Sequence, residues 1–131
     1  MSIRVLLADD SEIVRRAIRL LLRGQSEIEL VGEAVDYAQT IRMMSDLNAE
    51  VIVLDLHMPG ETQATLLDVK SHLNHNSRLL IISFFSDENA RTLAENLGAS
   101  GFLDKAEIGL KLIPTIMQLV SPKKHDPQMA V

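Results

Sequence analysis

The sequence has no cysteine and no tryptophan, and only one tyrosine and three phenylalanines among its 131 residues. Without cysteine there is no disulfide, no thiolate nucleophile and no cysteine metal site, which fits a reducing compartment. With so few aromatics the core has to be aliphatic. Basic residues are also short: 13 Lys and Arg against 18 Asp and Glu leave a net charge of -5. That argues against the basic footprint of a nucleic-acid binder. No apolar run approaches the roughly 18 residues of a membrane span, and the opening MSIRVLLADD meets two acids too early for a signal peptide. There is no internal repeat and no low-complexity segment. What is present is an ordinary globular composition, 47% hydrophobic and 24% charged, at a length that suits one domain.

Two periodicities alternate along the chain. Short aliphatic runs at 3–8, 28–34, 51–55, 78–85 and 100–104 read as strands. Helical spacing follows each of them, at 11–24, 36–47, 61–74, 87–98 and 107–120. In the first helix Ile13, Val14, Ala17, Ile18, Leu21 and Leu22 form the stripe, and Arg15, Arg16, Arg19 and Arg23 fall outside it. Ser11, Asp36 and Ser86 are expected N-caps, and Gly24 and Gly98 expected stops. Pro114 inside the last stripe is expected to delay that helix or kink it. Residues 1–121 are expected to form the domain, and 122–131, with two prolines, a frayed tail. Strands that are apolar on both faces imply a parallel sheet covered by helices on each side. Right-handed crossovers then favour a doubly wound, flavodoxin-like α/β domain of strand order 2-1-3-4-5.

In such sheets ligands bind beyond the carboxyl ends of the strands, where the strand order reverses. The first strand leads into Asp9 and Asp10, the third ends at Asp55, the fourth runs out near Ser83 and the fifth leads to Lys105. Each residue has an ordinary reading when taken alone. An acid pair after a strand caps a turn, a lone strand-end Asp stops the strand, a serine is a satisfied hydroxyl and a lysine is a surface charge. Together at one rim they are harder to dismiss. Three converging carboxylates repel one another unless a cation joins them, and Mg²⁺ (or Mn²⁺) suits oxygen ligands shared with waters and phosphate oxygens. Lys105 adds a positive charge and Ser83 a donor for an anion. The set looks like equipment for holding a phosphoryl group, with transfer to a carboxylate as the expected reaction.

Here the chain resembles the receiver domains of two-component response regulators. LLADDS (6–11), VIVLDLHMPG (51–60), LLIIS (79–83) and GASGFLDK (98–105) carry the resemblance, which covers Ile3 to about Val120. LVGEA and GASGFLDK look most like receivers that precede a LuxR-type helix-turn-helix, and no such sequence follows within these 131 residues. The resemblance implies Asp55 as phosphoacceptor, taking the group from a sensor histidine kinase, a phosphotransfer protein or an acyl phosphate. It implies Asp10, Asp55 and the backbone carbonyl of His57 as metal ligands, with Asp9 reaching the metal through water. It implies Ser83 as the switch hydroxyl, Lys105 as the phosphoryl partner and Phe102 as the aromatic switch. A cytoplasmic location, an output protein partner of unknown identity, and homodimers through helices four and five or one and five go with it.

Several positions depart from the family pattern. Phe84 stands where a small residue commonly gates the site, so shielding of Asp55 is expected, with outward packing of Phe84 as the alternative. His57 holds a position that influences dephosphorylation in relatives, and its ordinary reading is an exposed histidine. Ala106 follows Lys105 where proline through a cis bond is common, and ETQ replaces an Asp-Gly pair after MPG. A haloacid-dehalogenase-like phosphatase is the enzyme alternative. It calls for a second Asp two residues after the nucleophile, where this chain has His57. A fragment of a DNA-binding regulator and a receiver that works without phosphorylation are the other readings. The intact Asp10, Asp55, Ser83 and Lys105 argue against the last.

Overall fold

The computed structural model describes residues 2–85 and 87–121. Strands β1 (Ile3–Ala8), β2 (Ile28–Ala34), β3 (Val51–Asp55), β4 (Arg78–Ser83) and β5 (Gly101–Asp104) form one sheet in the order β2-β1-β3-β4-β5, and each neighbouring pair is parallel. Helices α1 (Glu12–Arg23), α2 (Tyr37–Leu47), α3 (Gln63–Ser71), α4 (Glu88–Asn96) and α5 (Ile108–Leu119) connect or follow them, with a 3-10 turn at Lys105–Glu107 before α5. The expected order and class are therefore observed, and the strand order reverses between β1 and β3.

Alternation along the strands divides the core into two layers, because successive side chains point to opposite faces. Leu6, Ala8, Ile52, Leu54, Leu79 and Ile81 pack with residues of α2, α3 and α4. Val5, Leu7, Val51, Val53, Leu80 and Ile82 pack with residues of α1 and α5. β3 is buried along its whole length, Asp55 included. The close approach of α2 to β2 depends on Gly32, where a Cβ would lie 2.6 Å from a Leu47 methyl.

Caps set most helix ends. Ser11, Asp36 and Thr62 accept from Val14, Gln39 and Thr65 amides, respectively. Five local expectations need correction. α3 is shorter than 61–74, because the Thr62–Thr65 capping box starts it and the chain turns at His72. β4 stops at Ser83, and Phe84 and Phe85 are exposed; their apolar character extended the expected strand without a sheet partner to hold them. α4 is capped by Asp87, which accepts from the Ala90 amide, while the expected cap Ser86 lies outside the described residues. α5 begins at Ile108 and runs through Pro114 to Leu119, so proline does not delay it. Pro114 lies on the exposed face, where its missing N–H leaves only the Leu110 position without a helical donor. In α1, Ile13 and Ala17 are exposed, whereas Arg15 turns inward. The expected tail, 122–131, also lies outside the described residues.

Candidate functional site

The carboxyl rim of β1, β3 and β5 brings the site together. Asp9 follows β1 and is fully buried, held in register by its amide donating to the Ala34 carbonyl at 3.0 Å. Asp10, next in the chain, is exposed. Asp55 ends β3 at 4% exposure. Lys105 opens the 3-10 turn after β5, and its ammonium lies 2.7 Å from Asp9 Oδ2 and 3.2 Å from Asp55 Oδ2.

Asp9 and Asp55 are arranged alike. Each accepts through Oδ1 from the amide two residues on, Ser11 at 2.8 Å and His57 at 3.2 Å. Each thereby turns the chain out of its strand and presents Oδ2 to Lys105. One buried ammonium thus bridges two carboxylates, while Asp10 is exposed at the rim. Arg15 supports this end of β1 by donating to the Asp9 carbonyl at 2.8 Å, and it pairs with Glu12 and Glu33. Arg19 forms a two-pronged bond to Glu33, which holds the Glu33 carboxyl below its ordinary range.

The charges do not balance. Burial pushes the Asp55 carboxyl above its ordinary range, the Asp9 carboxylate adds to that, and Lys105 and the His57 amide oppose it. Three carboxylates whose ligand atoms lie within 4.8 Å of one another, against one ammonium, leave two negative charges. Among the described residues, Asp9 Oδ2 has the ammonium beside it but no partner of hydrogen-bonding geometry. An oxygen-only donor set with that surplus charge and an incompletely satisfied buried oxygen fits a hard divalent cation.

The rim is lined by Asp9, Asp10, Ser11, Asp55, His57, Phe84, Phe85 and Lys105. Phe84 is 63% exposed, yet its ring centroid lies 5.0 Å from the Lys105 ammonium. Outward packing and a place at the rim therefore hold together for Phe84. His57 is exposed, bonds Glu61 through Nδ1 at 3.0 Å and meets the Phe85 ring edge-on at 5.3 Å. The Lys105–Ala106 bond is trans, since no described peptide bond is cis.

Ser83 is brought to the rim but not into its lining. It is buried at the end of β4, and its hydroxyl accepts from the Phe85 amide at 2.9 Å. Phe102 lies apart on β5, half-buried, with the Arg91 guanidinium 4.7 Å over its ring. One group at the site had no place in the sequence reading: Tyr37, whose hydroxyl donates to the Leu56 carbonyl at 2.8 Å and accepts from the Met58 amide at 3.2 Å. Its only signal in the sequence is its rarity as the single tyrosine.

Comparison with known proteins places this geometry in context. The family model for the response regulator receiver domain matches residues 5–116. A protein-glutamate methylesterase/protein-glutamine glutaminase of Geobacter sulfurreducens is 36% identical over 108 residues, covering 82% of this chain and 29% of that protein. The transcriptional regulatory protein LiaR of Bacillus subtilis is 33% identical over 116 residues, covering 87% of this chain and 54% of LiaR. This chain therefore spans about a third to a half of the length of these curated relatives. Among solved structures, a two-component response regulator of the LuxR family from Aurantimonas sp. SI85-9A1 superposes with a TM-score of 0.81 at 25% identity, covering 91% of this chain and 85% of that one.

Proposed function

The chain belongs to the response regulator receiver domain family, and on that premise we propose that it accepts a phosphoryl group on Asp55 and uses the modification to switch a protein-binding face. The observation that carries the reading is the Lys105 ammonium set between Oδ2 of Asp9 and Oδ2 of Asp55, with Asp10 completing the acid cluster. The donor is a phosphohistidine on a sensor histidine kinase or phosphotransfer protein, or a small acyl phosphate.

A carboxylate oxygen of Asp55 forms the new P–O bond as the P–N bond of the phosphohistidine breaks. The electron pair returns to the imidazole nitrogen, which takes a proton from solvent. Water later attacks phosphorus, releasing inorganic phosphate and restoring the carboxylate. Asp10, Asp55 and the His57 backbone carbonyl would hold Mg²⁺ or Mn²⁺, with Asp9 reaching it through water; bound there, the ion supplies positive charge to the phosphoryl oxygens. Lys105 exchanges part of its pairing with the two carboxylates for the incoming phosphoryl oxygens. Ser83 can release the Phe85 amide to donate to the same group, and Phe102 follows on β5. The two states then differ in charge and in contact, which is what shifts a population between output surfaces. The rings of Phe84 and Phe85 narrow the approach to Asp55.

This is a signalling module rather than a turnover enzyme, and its setting is the cytoplasm. Among the described residues no helix is long and apolar enough to cross a membrane. A second reading, a receiver that forms one part of a longer DNA-binding regulator, is favoured by the 54% share of LiaR that the chain spans. Titration with Mg²⁺ and beryllofluoride, followed by amide NMR, tests the acceptor assignment. Shifts around Asp55 and Ser83 are expected in the parent and none in Asp55→Ala, with faster association in Phe84→Ala. Shifts that survive in Asp55→Ala would overturn it.

A further inference from the structure

Tyr37 opens α2 and is 3% exposed, inside the apolar layer formed with Leu54, Leu56 and Met58. Its hydroxyl faces the backbone just beyond Asp55. It donates to the Leu56 carbonyl at 2.8 Å and accepts from the Met58 amide at 3.2 Å. The Leu56 carbonyl belongs to the same peptide unit as the His57 amide, and that amide donates to Asp55 Oδ1 at 3.2 Å. The bonds thus form a continuous chain from the Met58 N–H through the Tyr37 hydroxyl and the Leu56–His57 peptide to Asp55 Oδ1. Hydrogen bonds in series polarise one another, so a donor at a peptide's carbonyl strengthens the donation of its N–H. Burial pushes the Tyr37 phenol above its ordinary range, so the hydroxyl keeps the proton it donates.

We propose that Tyr37 is a positioning residue for Asp55, acting through the Leu56–His57 peptide to hold Oδ1 of the carboxylate in place. The proposal rests on the reading of Asp55 as the phosphoryl acceptor and adds a group to it from outside the acid cluster. Holding Oδ1 with the His57 amide leaves Oδ2 as the oxygen that faces Lys105. The same two bonds clasp the backbone on either side of His57, so the carbonyl that would serve a cation is anchored from both flanks.

Tyr37→Phe removes the hydroxyl and keeps the ring. In the metal-free protein its His57 amide proton is expected to move upfield and exchange several-fold faster, while sheet amides such as those of Leu54 and Ile81 stay as they are. Affinity for Mg²⁺ with beryllofluoride is expected to fall about tenfold, the usual loss when a supporting hydrogen bond behind a metal ligand is removed. Because the chain has one tyrosine, growth on 3-fluorotyrosine changes this hydroxyl alone, and the fluorine makes it a stronger donor. The His57 amide is then expected to move downfield, the opposite direction, and this measurement decides alone if Tyr37→Phe does not fold. An unmoved His57 amide in either protein would overturn the proposal, as would an equal disturbance of the sheet amides. Failure of the parent itself to bind Mg²⁺ and beryllofluoride would instead strike the acceptor reading, and the metal-free His57 signature distinguishes the two.

Discussion

Asp55 pays for its position with burial. Its carboxyl is held above the ordinary range by loss of solvent first and by the Asp9 carboxylate second. The folded chain therefore binds that proton more tightly than the unfolded chain does. Below the unfolded value both states are protonated and nothing is lost; as pH rises through the folded value, ionising Asp55 costs stability. Asp55→Asn keeps an oxygen for the His57 amide and removes the charge. At neutral pH without metal it is expected to melt at a higher temperature than the parent. The gain should disappear below about pH 4, where both states of the parent are neutral. Paired thermal scans across pH check this, and a gain that grows on acidification contradicts it. Asp9, Asp10, Asp55 and Lys105 were legible in the sequence because each follows an apolar strand and the rim of a doubly wound sheet gathers strand ends. Tyr37 was not legible, because its partners are backbone groups 19 and 21 residues away and nothing in a helical stripe reveals a bond to another loop.

At the scale of elements, the five strands and five helices followed from periodicity, and the errors fell at ends. Phe84 and Phe85 are apolar but have no place in β4, where Ser83 turns the chain by accepting from the Phe85 amide. α3 is trimmed at both ends because the Thr62–Thr65 capping box sets its start and the chain turns at His72. Pro114 is tolerated inside α5 because it sits on the exposed face, while Leu112 and Ile116 carry the packing. A proline in a helix interior costs about 3 kcal/mol relative to alanine. Pro114→Ala restores a donor for the Leu110 carbonyl and is expected to raise the unfolding free energy by about 1–3 kcal/mol, read from urea denaturation. An unchanged or lower value would mean that α5 has already relaxed around the proline.

For the whole molecule, the sheet is a rigid mount built from two apolar layers, with the acid cluster at the reversal between β1 and β3. Lys105 arrives from β5, so the site joins the centre of the sheet to its far edge. On the proposed function, a charge change at Asp55 would act on β5 through the Lys105 ammonium. On the same proposed function, Asp55 takes a phosphoryl group with the help of a divalent cation. Intact-mass measurement after incubation with acetyl phosphate and Mg²⁺ tests it most directly. One added phosphoryl group is predicted in the parent, lost on chelation and absent in Asp55→Ala. A phosphoryl adduct that persists in Asp55→Ala, or a parent that stays unmodified with Mg²⁺ present, would contradict it.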